Sequence, residues 1–254
     1  QKFFGFLHIL MKILITGSNG LLGQKLVNLI SDDSSYELIA TSRGANRLPN
    51  SNDYIYESLD VTNAIEVDQV IQRYRPDAVI HTAAMTNVDQ CEMEHDDCDA
   101  VNVEALKTII DSTKKHNSHL IHISTDFVFD GENGPYTETD EPSPINYYGL
   151  SKLKGEQLIK QAQINFTILR TILVYGLVDN MSKNNIVSWI KNAVESKQTI
   201  TIVNDQFRMS TLVDDLADAC LLAIQNTAYG IFNVSSSELL SIYEVALQVA
   251  DAFN

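Results

Sequence analysis

Residues 12–23, KILITGSNGLLG, constrain the fold more than any other stretch of the chain. Ile13, Leu14 and Ile15 form an apolar run suited to a strand buried on both faces. Gly17, Gly20 and Gly23 follow at three-residue spacing. From Leu21 onward the apolar positions Leu22, Leu26, Leu29 and Ile30 read as one helical face. Strand, glycine turn and helix in that order present a helix N-terminus, whose unpaired N–H groups suit a pyrophosphate. Glycines serve where the backbone turns sharply, approaches the phosphates, or lets helix pack on strand. The spacing is GxxGxxG, a variant of the dinucleotide fingerprint, and its place directly after the first apolar strand favours a nucleotide site over a plain turn. Gly17, Ser18, Asn19, Gly20, Leu21, Leu22 and Gly23 are therefore candidate cofactor contacts.

Residues 37–41 (ELIAT) read as a second strand, and its end is informative. A site selective for NAD places Asp or Glu there to accept from the ribose 2′-OH. This chain has Thr41, Ser42 and Arg43 instead. A hydroxyl and a guanidinium suit a 2′-phosphate, so Ser42 and Arg43 point to NADPH, with NADH the weaker alternative. The bland reading of Arg43 is a solvated loop charge. A third strand spans 54–59, with Asp60 and Val61 at its end as an adenine contact. Residues 63–74 are helical, with Pro76 following. Residues 77–82 form a fourth strand running into Ala83 and Ala84; small residues beside Thr82 let a cofactor lie against the backbone. A long helix over 94–116, with Val101, Ala105, Ile109 and Ile110 apolar, leads to a fifth strand at 120–124. This alternation predicts an α/β fold, a Rossmann-like doubly wound parallel sheet. No internal repeat or low-complexity linker interrupts it.

A net charge of −15 repels nucleic-acid phosphates and anionic membranes, so neither is an expected partner. No apolar run reaches the ~18 residues of a membrane span. The opening residues 1–10 are apolar but lack a basic n-region and a small-residue cleavage site, so no signal peptide is read, and Met11 is the expected start. Cys91, Cys98 and Cys220 are odd in number and form no CxxC, which suits a reducing cytoplasmic setting. Cys91, His95 and Cys98 lack a second ligand cluster, so no metal site is expected.

Two stretches carry the chemistry. Residues 124–131 (STDFVFDG) lie at the end of a central strand, where ligands bind in such sheets. Residues 147–152 (YYGLSK) open a helix in which Tyr148 and Lys152 stand four apart on one face. An ammonium near a phenol stabilises phenolate, which would lower the Tyr148 pKa and make it a proton donor or acceptor near neutrality. Thr125 could hold the same substrate oxygen. A Tyr–Lys pair alone is common in helices; its weight comes from following a dinucleotide turn and a strand-end hydroxyl.

Together the TGSNGLLG, HTAA, STDFVFDG and YYGLSKLKGE stretches resemble the extended short-chain dehydrogenase/reductases. VIHTAAMTNVDQCE, LRTILVYG and NDQFRMSTLVDDLADA make the dTDP-4-dehydrorhamnose reductase family the nearest likeness, over nearly all of 11–250. The resemblance implies Thr125, Tyr148 and Lys152 as a catalytic triad. It implies a dinucleotide-binding domain over 11–173, and a region 174–254 that completes the sheet and forms a small substrate lobe. Thr86, Asp126, Asn185, Arg208 and Thr211 would then face the nucleotide-sugar substrate, Arg208 as an anion clamp. The implied activity is NADPH-dependent reduction of a 4-keto group on a nucleotide-activated deoxysugar. Alternatives are an epimerase of the same superfamily and a non-catalytic NADP-binding regulatory subunit. Dehydration is disfavoured, because Asp126 is followed by Phe127 rather than Glu. Relatives often form homodimers. The chain departs from the family at Leu173, where Trp is frequent, and at Arg208 and Ser210, where Gly and Pro are usual; it ends at Asn254 inside a helical pattern. Trp189 is expected on a helix face in the core.

Overall fold

The computed structural model describes residues 10–49, 53–179 and 184–253. The leader and start-site readings rest on 1–9, and the end of the chain on Asn254; both lie outside the described residues.

The first half alternates as expected: β1 (Met11–Thr16), α1 (Leu21–Ser31), β2 (Tyr36–Ser42), β3 (Ile55–Ser58), α2 (Ala64–Tyr74) and β4 (Ala78–His81). Three helices, α3 (Val88–Met93), α4 (His95–Asp99) and α5 (Ala105–His116), lead to β5 (His119–Thr125). Then come α6 (Tyr147–Gln161), β6 (Phe166–Thr171) and the short β7 (Val174–Tyr175). The last part holds α7 (Ile186–Glu195), β8 (Phe207–Arg208), β9 (Thr211–Leu212), α8 (Val213–Gln225), β10 (Gly230–Val234), β11 (Leu240–Ser241) and α9 (Ile242–Ala252).

Seven strands pair in the order β10-β6-β5-β4-β1-β2-β3, every pair parallel. Strand order reverses between β1 and β4, so a crevice opens at their carboxyl ends. The apolar run of β1 has a direct cause. Ile13 and Ile15 join one buried cluster with Leu26 of α1 and Leu216 of α8, while Leu14 faces Leu106, Ile109 and Ile159 on the other side. A strand covered on both faces has no polar side. Residues 230–234 add the seventh strand beside β6, so the C-terminal region contributes to the sheet. Its α7 and α9 pack through Ile190, Ala246 and Val249 in a separate cluster.

Two readings of the sequence differ from the structure. The expected continuous helix over 94–116 contains a π turn at Ala100–Glu104. Asn102 sits inside it, 2% exposed, taking the Met85 N–H (2.9 Å) and donating to Met85 O (3.0 Å) and Ser151 Oγ (3.0 Å). A wider turn rotates the following residues, and Asn102 and Val103 face inward where Val101 was expected. Trp189 is not a core residue: it is 39% exposed, one position off the buried face made by Ser188, Ile190 and Ala193.

Candidate active site

The glycine turn is built as its spacing implies. A Cβ at Gly23 would lie 2.2 Å from Gly17 O, and one at Gly17 would lie 2.8 Å from Ala83 N. Gly17 also holds φ +76°, where side chains are strained. Thr82 closes the turn from β4, its hydroxyl donating to Thr16 O (2.7 Å). Asn19 fixes the far wall: Nδ2 donates to Ala45 O (2.9 Å), and Oδ1 accepts from Arg47 N–H (2.9 Å). The buried Ser18 hydroxyl has no hydrogen-bond partner among the described residues. A cradle of backbone N–H groups at a helix start, with a buried hydroxyl left over, fits a dinucleotide pyrophosphate.

From this turn a cleft of about 630 Å³ runs along the carboxyl ends of the central strands. Asn19, Gly20, Leu21, Leu22 and Gly23 line one end, and Thr82, Ala84 and Thr86 the middle. Thr125, Asp126, Tyr148, Lys152 and Asn185 line the remainder. At the β2 end, Arg43 is exposed, its guanidinium 3.9 Å from Asp60. Ser42 lies beside it, its carbonyl accepting from Tyr56 Oη (3.2 Å). Asp60 is engaged by the backbone (3.0 Å) and hydroxyl (2.7 Å) of Thr62, and Val61 is buried. Ser42, Arg43, Asp60 and Val61 all stand outside the lining of this cleft, at the end of β2 and in the turns after β2 and β3.

The catalytic candidates are seated by two devices. Asn146 caps α6 by accepting from Gly149 N–H (2.8 Å), which puts Tyr148 in the first turn and Lys152 one turn later. Gly149 then lies against the turn after β5: a Cβ there would stand 2.0 Å from Phe127 O. That contact brings Tyr148 beside Thr125. The Thr125 hydroxyl donates to Asp126 Oδ1 (3.0 Å) and accepts from Phe127 N–H (3.2 Å). Below them, Glu156 and Arg170 form a two-pronged pair (2.9 and 2.7 Å) with 2% or less of either side chain exposed. Ser124 Oγ adds a third bond to the carboxylate (2.6 Å).

The electrostatics differ from the expectation for Tyr148. Burial holds its phenol well above the ordinary value, the neighbouring Thr125 hydroxyl working the other way and Asp126 adding to the rise. Lys152 does not lower it here, because its ammonium faces His122 Nε2 (3.2 Å). Burial pulls Lys152 itself down to about 8, against the favourable charge of Glu156. Burial also raises the Asp126 carboxyl, opposed by its Thr125 bond and by Arg208.

Asp126 and Thr171 also line a second pocket of about 350 Å³, with Arg170, Arg208, Phe207 and Asn233 among its walls. Arg208 is thus near the cleft but not in it, one N–H donating to Phe207 O (2.8 Å). Asn185 is committed to capping α7 and to Gly176 O (2.6 Å), at the rim of the cleft. Thr211 is corrected: it is 1% exposed, and its hydroxyl bonds Thr171 Oγ1 (3.0 Å), Ile172 O (2.9 Å) and Val234 O (3.2 Å). It ties strands together and offers nothing to a ligand. Cys91 and Cys98 are buried, and His95 stacks on Tyr147 (3.6 Å between ring centres). Sequence reading missed Asn102, Asn146, Arg170 and the histidines His81 and His122. The one signal available for the last two was a His inside each of two neighbouring apolar strands, at the end of β4 and in the middle of β5.

Residues 11–254 match the RmlD substrate binding domain family. The chain is 31% identical over 247 residues to dTDP-4-dehydrorhamnose reductase of Aggregatibacter actinomycetemcomitans, covering 94% of this chain and 78% of that one. It is 32% identical over 248 residues to methionine adenosyltransferase 2 subunit beta of Danio rerio, covering 96% and 74%. Among solved structures it is similar to dTDP-4-dehydrorhamnose reductase from Bacillus anthracis in complex with NADP. That match has a TM-score of 0.84 at 31% identity, over 96% of this chain and 81% of that one.

Proposed function

The chain belongs to the RmlD substrate binding domain family, and on that premise we propose that it reduces the 4-keto group of a nucleotide-activated deoxysugar with NADPH. The observation that carries the reading is the meeting of Thr125, Tyr148 and Lys152 on the cleft that opens from the glycine turn. The glycine cradle, the unpartnered Ser18 hydroxyl and Asn19 would hold the dinucleotide, with Arg43 and Ser42 toward a 2′-phosphate. When bound there, NADPH would supply the hydride that the sugar C4 carbon takes up. Tyr148 gives its phenolic proton to the oxygen that becomes alkoxide, and Thr125 hydrogen-bonds the same oxygen. Lys152, which lines the same cleft, would hold the cofactor ribose with its ammonium and supply positive potential as Tyr148 loses its proton. Asp126 and Arg208 stand where the second pocket meets the cleft and suit the sugar and diphosphate. We place the reaction in the cytoplasm, where thiols such as the three cysteines stay reduced.

A second reading, a non-catalytic NADP-binding regulatory subunit, is favoured by the likeness to methionine adenosyltransferase 2 subunit beta. One experiment separates the two. NADPH consumption is followed with dTDP-4-dehydrorhamnose and a panel of other 4-keto sugar nucleotides. Turnover by the wild type supports the reductase; NADPH binding with no turnover on any substrate supports the subunit.

A further inference from the structure

We infer that His122 is a positioning residue for Lys152, its imidazole accepting the ammonium's hydrogen bond and holding that charge at the cleft. The inference rests on the proposed reductase only in taking Lys152 to lie against the cofactor.

Lys152 is 3% exposed and His122 1%. The contact Nζ–Nε2 is 3.2 Å, and it is the one hydrogen bond of the ammonium among the described residues. An ammonium has only N–H groups to give, so Nε2 must present its lone pair and the ring proton must sit on Nδ1. His122 Nδ1 is buried and has no partner among the described residues. An unpaired buried N–H is costly, and an apolar side chain at this strand position would avoid it. The imidazole therefore serves the contact at Nε2 rather than the strand.

The ring is held for this task. His122 and His81 are register partners on β5 and β4, and their rings stack at 5.6 Å and 21°. His81 is anchored in turn by Thr16 Oγ1 (2.7 Å) at the end of β1. Gly155 on α6 packs close beside the ring: a Cβ there would stand in ordinary contact with His122 Nε2 at 3.7 Å and would crowd Leu106 Cδ2 at 2.8 Å. The strand that opens the glycine turn is thus linked through two imidazoles to the lysine of α6.

Other titratable groups face Lys152 from each side. Glu156 and Tyr148 stand on its own helix, Cys98 on α4, His81 on β4, and Asp126 lies beyond Tyr148. Glu156 and Cys98 favour the ammonium, and burial opposes it, leaving Lys152 at about 8. Burial also keeps His122 well below its ordinary value, so it stays neutral as an acceptor should.

The test is NADPH affinity against pH for the wild type, His122→Phe and His122→Gln. Lys152 loses its charge as pH rises through about 8, so wild-type affinity should weaken there. Phe keeps a flat ring but accepts nothing, so the ammonium sheds its proton sooner and the inflection moves down by about one unit. His122→Phe should then bind roughly fivefold more weakly near pH 8, approaching tenfold above about pH 9, but within about twofold of wild type near pH 6. His122→Gln, whose amide oxygen accepts, should restore the profile. An unmoved inflection, or a loss equal at every pH, overturns the inference. A measurement on the wild type does not depend on any variant folding: ¹⁵N shifts of the His122 ring should report the Nδ1–H tautomer. The Nε2–H tautomer would overturn the assignment. Absence of NADPH binding by the wild type would instead count against the reductase reading, leaving the tautomer to decide the contact.

Discussion

Replacing Glu156 with Gln should destabilise the fold severely while changing the side-chain volume hardly at all. The carboxylate takes two bonds from Arg170, at 2.9 and 2.7 Å, and one from Ser124 Oγ at 2.6 Å. Both charged side chains are 2% exposed or less, so water cannot take over either role. Gln turns one oxygen into an N–H donor facing the guanidinium, losing one prong and leaving a buried positive charge uncompensated. Removing one partner of such a pair costs about 3–5 kcal/mol. For a chain of this length about 1 kcal/mol moves the midpoint by roughly 2–4 °C, so Tm should fall by about 6–20 °C. The pair also joins β6 to the helix that carries Tyr148 and Lys152, so the seat of the site loosens with it. Thermal unfolding followed by circular dichroism and calorimetry measures this directly. Glu156→Leu combined with Arg170→Met should recover most of the loss, because an apolar pair of similar volume has no charge to desolvate. A Tm for Glu156→Gln within about 2 °C of wild type would refute the reasoning.

Tyr148→Phe keeps the ring and its edge-on contact with Phe127 (5.9 Å), so NADPH should still bind while turnover falls by about 10²–10⁴. Turnover unchanged in that variant would remove Tyr148 as proton donor. Arg43→Ala should weaken NADPH by about 1.5–3 kcal/mol, roughly ten- to a hundredfold, and leave NADH alone. Equal losses for both cofactors, measured by titration, would show that Arg43 does not read the 2′-phosphate. Gly149→Ala would drive a Cβ to 2.0 Å from the Phe127 carbonyl, so α6 must shift; reduced Tm and reduced turnover are expected, and wild-type values for both would contradict the seating described.

The parts of the molecule legible in the sequence are those where one local rule decides. A strand buried on both faces must be apolar throughout, so β1, β2, β4 and β5 could be read within a residue or two. The glycine turn was legible because its close contacts exclude any Cβ. Tyr148 and Lys152 were legible because a helix puts residues four apart on one face. What escaped depends on partners far away in the chain. Asn102 bends its helix into a π turn by binding Met85 and Ser151, and nothing local announces either. Thr211 looks like a ligand contact until Thr171 and Val234 are beside it. Leu173, where the resemblance led one to expect Trp, lines the cleft at φ 40°, a conformation decided by the surrounding strands.

The raised phenol of Tyr148 bears on the direction of the reaction. The sequence suggested a lysine that lowers it; in the chain by itself the lysine turns to His122 and burial keeps the phenol protonated. An epimerase of this superfamily begins by taking a proton from a sugar hydroxyl, which needs a phenol ready to ionise near neutrality. A ketone reductase needs the reverse: a phenol that keeps its proton until an alkoxide develops. Hydride arrival makes the carbonyl oxygen progressively more basic, so a phenol still protonated at that moment has its proton to give. A phenol held protonated by burial is consistent with the proton-donating role that the reductase reading gives Tyr148.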